Sequence, residues 1–148
     1  MRQLNGLCFR IVLNETESFG CEEAAFELAV VTERSDADYQ QLLPDTGAAV
    51  DGIAPDTAVV LLSHRPTGAK ENARAGADLQ LSGHTHGGQV LGMHWVTQLA
   101  NEGYVSGSYD VDGMHLYVSN GAGLWNGFPV RLGKRAEITQ FILRSPSL

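Results

Sequence analysis

The sequence predicts a mixed α/β domain, and three observations carry that expectation. A short β-branched run, Val59 to Leu62, delivers Ser63-His64-Arg65-Pro66 to a loop. A second strand-like run, Asp78 to Ser82, leads straight into Gly83-His84-Thr85-His86-Gly87-Gly88, and a helix-competent stretch lies between the two. Strands joined by a crossover helix in one sheet are usually parallel, which brings both histidine-bearing ends to the same sheet edge.

Taken in order, residues 7 to 13 (LCFRIVL) and 24 to 31 (AAFELAVV) are short apolar runs that predict a β-hairpin. Ser35-Asp36 before DYQQLL, with Pro44 after it, predicts a short capped helix. Asp45 to Pro55 reads as loop or weak helix. Thr67 to Ala75 predicts a helix with Thr67 as its cap and Gly76 just past its end. Gln89 to Gly107 has no clear period and reads as loop with a short helical piece. Met114 to Ser119 predicts a strand with Met114, Leu116 and Val118 on one face, followed by the glycine-rich Asn120 to Gly127 and a closing strand, Glu137 to Leu143.

A chain of 148 residues with 43% hydrophobic and 18% charged residues suits one domain, 1–148, with a real core. Its apolar content excludes a disordered segment. The net charge of −7 gives no uniform basic surface, so nucleic acid is not an expected partner and any phosphate must be held locally, for which a bound cation suffices. Cys8 and Cys21 form no CxxC pair and suggest a reduced compartment with inert thiols. The longest apolar run, Ala58 to Leu62, falls far short of the ~20 residues that cross a bilayer. The N-terminal Leu7-Cys8-Phe9 is broken by Arg10 and lacks the apolar core of a signal peptide. The 17 glycines exceed the usual ~7% and point to function carried by backbone turns.

His84 and His86 stand at i and i+2, so both rings face one side of an extended chain, and the glycines around them let backbone approach an ion. With His64 at the neighbouring strand end, three imidazoles converge, a donor set that suits zinc, copper, iron or nickel. Each histidine alone reads as an ordinary hydrogen-bonded loop residue; the convergence favours a metal. His115 falls opposite Met114 and Leu116 and reads as solvated, while His94 lies in an unpatterned stretch. The cupin pattern requires a glutamate where Gly87-Gly88-Gln89 stand, and the HxHxDH of metallo-β-lactamases requires Asp at Gly88. Neither fits.

LLSHRP (Leu61 to Pro66), LSGHTHGGQV (Leu81 to Val90), LYVSNGAGLWNGFPVRLGKRAEIT (Leu116 to Thr139) and, more loosely, VLNET (Val12 to Thr16) resemble the C-terminal half of the calcineurin-like metallophosphoesterases, in the bacterial branch related to YkuE and YaeI. The resemblance runs from Leu4 onward. It implies a β-sandwich flanked by helices and a dinuclear hydrolase of phosphodiester or pyrophosphate bonds, in which His64 and His84 bind one metal and His86 the other. Manganese, iron and zinc are the metals it implies. Two cations roughly 3.5–4 Å apart clamp the attacking and leaving oxygens and acidify a water. The family's DxH, GDxxD and GNH[DE] motifs have no counterpart here, so the expectation is a C-terminal part of one such domain with about half a site. One consequence is weak or absent hydrolysis by this chain alone. Others are a single zinc on three imidazoles, and self-association through an uncovered sheet face.

Among lesser candidates, Arg131 can face a substrate phosphate or pack as a surface residue. Asn120, Gly121 and Gly123 can rim the site or merely turn the chain. Trp125 and Phe128 can cover a lipid or sugar moiety or belong to the core, and Gln89 can orient a histidine or sit as a polar loop residue. The resemblance extends to enzymes cleaving UDP-2,3-diacylglucosamine, which implies a lipid-linked substrate and a cytoplasmic setting at the inner membrane face. The alternative is a non-catalytic remnant or a half-site module needing a partner chain.

Overall fold

The computed structural model describes residues 10–21, 24–33, 42–125 and 129–144. The α/β expectation holds: these residues form one six-stranded mixed sheet flanked by short helices. In chain order the strands are β1 (Glu15–Cys21), β2 (Ala24–Val30), β3 (Ala58–Leu62), β4 (Leu79–Ser82), β5 (Gly107–Val111) and β6 (Met114–Val118). The helices are α1 (Thr46–Val50), α2 (Ala69–Ala75) and α3 (Met93–Ala100), with a 3₁₀ turn at His86–Gly88.

Across the sheet the order is β1-β2-β3-β4-β6-β5. The pairs β2/β3, β3/β4 and β4/β6 are parallel, while the flanking pairs β1/β2 and β5/β6 are antiparallel hairpins. Four adjacent parallel strands therefore end at one edge, and everything chemically notable sits there.

The hairpin expected at the start exists, but its first strand is Glu15–Cys21 and not 7–13; residues 10–13 are no strand, and 7–9 lie outside the described residues. The reason is Asn14. Its backbone is left-handed (φ 53°), and its Oδ1 accepts from the N–H groups of Thr32 and Asp45 at 3.0 and 3.3 Å, so the chain bends there before the ladder starts. Of the helix expected after Ser35-Asp36, residues 38–41 lie outside the described set, and Leu42-Leu43 are not helical.

α1 is capped by Asp45, which accepts from Ala48 N–H at 2.9 Å. α2 starts at Ala69, with left-handed Gly68 in the capping place instead of Thr67, and ends as expected at left-handed Gly76. β5 was not foreseen. It is the partner that Asp112-Gly113 creates: both residues have positive φ (53° and 90°), as a tight two-residue hairpin demands.

The core lies between the sheet and α1/α2. Ala29, Val59, Leu61, Met114, Leu116 and Val118 project onto Ala49, Ala69 and Ala77. A polar chain crosses this layer: Thr46 Oγ1 donates to Asn72 Oδ1 (2.6 Å), Asn72 Nδ2 to Gln80 Oε1 (2.9 Å), and Gln80 Nε2 to Ser82 Oγ (3.0 Å). Its last member, Ser82 Oγ, donates to the Arg65 carbonyl at 3.3 Å and so ties helices α1 and α2 to the loop that bears His64.

The closing strand Glu137 to Leu143 is not formed. These residues lie over the other face of the sheet: Tyr117 reaches Glu137 Oε1 at 3.0 Å and stacks edge-on with Phe141. β6 is already paired on both sides, by β4 and β5, so no ladder is open to this segment at that position. Ile138 and Ile142 are consequently 93% and 69% exposed.

Candidate metal centre

Backbone pairing runs on past the strand ends. Val31 N–H donates to Leu62 O, Ser63 N–H to Leu81 O, and Gly83 N–H to His64 O at 3.0 Å. The residues that follow β2, β3 and β4 are thus held side by side. The result is that His64 Nε2 and His84 Nδ1 stand 3.2 Å apart, their rings edge to face.

The stretch after β4 is bent hard. His84, His86 and Gln89 all have positive φ (67°, 50° and 51°), as do Gly87 and Gly88. Non-glycine residues in this region cost on the order of 1–3 kcal/mol each, and such strain gathers at functional sites. What pays for it is anchoring: buried Thr85 donates to Val105 O at 2.6 Å, and Gly88 lies so close to His94 that a Cβ would meet its Cα at 2.5 Å. With Thr85 turned inward, the histidines on either side of it turn outward.

Two imidazole nitrogens 3.2 Å apart need a proton or a cation between them. Zinc–nitrogen bonds of ~2.0–2.1 Å at tetrahedral angles put two ligating nitrogens about 3.3–3.4 Å apart, so the pair fits a metal. Burial first, then the Arg65 and His64 charges, holds His84 below its usual pKa of 6.5 despite an opposing pull from Glu33. At neutral pH it is a neutral imidazole, the form that ligates.

Sequence reasoning missed Glu33, three residues past β2. Its carboxylate, His64 and His84 offer donor atoms all within 4.8 Å of one another, with Glu33 Oε2 3.9 Å from His64 Nε2. Arg65 Nε holds the other carboxylate oxygen. The signal was present as the end of a strand parallel to β3, but the pairing of β2 with β3 is not written in local sequence.

His86 stands apart from this group. Its Nδ1 faces the Gly123 carbonyl at 3.0 Å; since a carbonyl only accepts, Nδ1 is the donor, which leaves Nε2 as the ring atom turned to other partners. Trp125 packs edge-on against its ring at 6.2 Å. Buried Gln89 accepts from Trp125 N–H at 2.8 Å, so it fixes the backbone of His86's neighbour. Asn120 is buried, with its N–H and Nδ2 both bound to Glu137 at 2.9 Å. Arg131 spans the loop: Nη2 donates to the carbonyls of Asn120, Gly121 and Gly123, and Nη1 to those of His86 and Arg135. In this arrangement its guanidinium organises backbone around His86. His115 is exposed, as expected, and His94 Nδ1 accepts from Gly92 N–H at 3.2 Å. Phe128 lies outside the described residues.

A cavity of about 440 Å³ opens beside Glu33 and Arg65, between β2, β3 and α2. Its walls include Asp45, Glu71 and Glu102 against the single cation Arg65, a lining that disfavours a bare phosphate.

No family model matches the chain, and no solved structure matches it. Curated relatives do. It is 42% identical over 104 residues to a Bos taurus transmembrane protein with metallophosphoesterase domain, covering 68% of this chain and 23% of that protein. It is 33% identical over 105 residues to the Bacillus subtilis metallophosphoesterase YkuE, covering 69% and 36%, and 32% identical over 130 residues to the Campylobacter jejuni metallophosphoesterase Cj0846, covering 87% and 33%. The chain thus spans about a quarter to a third of the length of these relatives. Their similarity, the mixed α/β sheet and the histidines gathered at its edge point the same way: the chain is similar to metallophosphoesterases of the YkuE-like branch.

Proposed function

We propose that this chain contributes the histidine part of a metal-dependent phosphoester hydrolase site acting on phosphodiester or pyrophosphate bonds. The observation that carries the reading is the His64–His84 pair, 3.2 Å apart at the ends of two adjacent parallel strands. When bound, divalent manganese, iron or zinc neutralises phosphoester oxygens and acidifies a water. The chain's own residues present two imidazole nitrogens at ligand spacing, hold His84 below its usual pKa by burial, and engage His86 Nδ1 through the Gly123 carbonyl. In the full dinuclear form of this reading His86 serves the second metal.

A lipid-linked substrate of the UDP-2,3-diacylglucosamine type is supported by the resemblance and by apolar surface beside His86, where Trp125 packs and Leu124 is exposed. That substrate would put the protein in the cytoplasm at the inner membrane face. Among the described residues no helix is long and apolar enough to cross a membrane.

A second reading, a non-catalytic metal-binding half-site completed by a partner chain, is favoured by one observation: among the described residues, no three-donor group includes His86. Hydrolysis of bis(p-nitrophenyl) phosphate in manganese buffer separates the two. The hydrolase reading expects turnover that His84→Ala and His86→Ala each abolish. Metal uptake without turnover favours the half-site, and turnover that survives both substitutions contradicts either reading.

A further inference from the structure

We propose that Glu33 is the third ligand of a mononuclear site with His64 and His84, so that this chain holds one divalent cation on a two-histidine, one-carboxylate donor set. The inference rests on the histidine pair of the proposed function and adds a carboxylate that the HxH pattern does not supply.

Three adjacent parallel strands each deliver one donor: Glu33 follows β2, His64 follows β3 and His84 follows β4. The backbone bonds that extend the sheet past its strands fix their spacing, and the three donor atoms fall within 4.8 Å of one another. The Glu33 side chain is 24% exposed and that of His64 55%, so the group is half-sheltered and still accessible.

Charge supports the assignment. Two neutral imidazoles and one carboxylate offset half of a divalent charge, and a two-histidine, one-glutamate set with an open fourth position is a known arrangement for catalytic zinc. Ligating carboxylates are themselves held by hydrogen bonds. Here Arg65 Nε takes Glu33 Oε1, which turns Oε2 toward His64 at 3.9 Å. The alternative is that Glu33 serves only as the ion-pair partner of Arg65.

Titration with Co²⁺, followed by visible absorption and competition with a chelator, distinguishes these roles. The wild-type chain is expected to bind one Co²⁺. Glu33→Gln, which keeps an oxygen for Arg65 but not the charge, is expected to weaken binding by roughly 10–100-fold or more, while its metal-free form still melts cooperatively. Wild-type affinity in Glu33→Gln, with binding lost in His84→Ala, overturns the Glu33 assignment and leaves the histidine pair standing. No Co²⁺ uptake by the wild type overturns both. Should Glu33→Gln not fold, zinc-edge X-ray absorption of the wild type decides: two imidazoles per zinc with oxygen completing the shell agrees with the proposal, whereas three imidazoles or none contradicts it.

Discussion

His84 has the most informative environment of any single residue. Burial is the largest influence on it, followed by Arg65 and His64, and together they hold it below 6.5 although Glu33 pulls the other way. A histidine whose pKa is lowered by folding adds stability above its unfolded pKa and loses it as pH falls through the folded value. The metal-free chain, titrated by NMR on the His84 ring, should therefore show a midpoint below 6.5, shifted further down in Glu33→Gln. A midpoint at or above 6.5 would contradict this environment. The bent stretch after it makes a second prediction. At Gly88 (φ 75°) a Cβ would meet His94 Cα at 2.5 Å, whereas at Gly52 (φ 80°) it would meet nothing within 4 Å. Both alanine substitutions incur backbone strain, but only Gly88→Ala adds a clash with backbone. It should lose about 1–3 kcal/mol more than Gly52→Ala in urea denaturation.

Between elements, the Thr46–Asn72–Gln80–Ser82 chain is the tie that matters, because it couples α1, α2 and β4 to the Arg65 carbonyl beside His64. Asn72→Ala leaves buried Gln80 Oε1 and the Thr46 hydroxyl without that partner, at a cost of about 1–3 kcal/mol. Weaker metal binding should accompany the lost stability, measured by denaturation and metal titration of the same variant. Loss of stability with unchanged metal affinity would show that the tie supports only the core. At this scale the sequence was readable where local pattern decides. β3, α2, β4 and β6 carry β-branched, capped or alternating signatures, and the His64 and His84 strand ends meet as expected. It was misread where tertiary context decides. Asn14 starts β1 later than the apolar run suggests, and Glu137 to Leu143 has strand-like composition but lies on a face whose neighbouring ladder is full. β5 had a legible signal in Asp112-Gly113, whereas Glu33 is marked only by its place just past a strand, and its role depends on which strand lies beside β2.

For the whole molecule, the sheet has one face packed on α1 and α2 and another crossed by residues 137–143, where Ile138, Phe141 and Ile142 are exposed. Exposed apolar surface of this kind drives association. Sedimentation velocity should show a concentration-dependent shift above monomer mass, reduced in the double substitution Ile138→Lys, Ile142→Lys. A dilution-independent monomer in the unsubstituted chain would contradict it. The net charge of −7 bears on the proposed phosphoester hydrolysis. An acidic balance repels a phosphoester, so that proposal requires cations to supply the local positive charge, and the strand-end histidines are the donors it assigns to them. The most direct measurement of that claim is zinc titration of the wild-type chain beside His84→Ala. About one zinc per wild-type chain and its loss in the variant are expected, whereas equal binding by both would contradict a metal site at the His64–His84 pair.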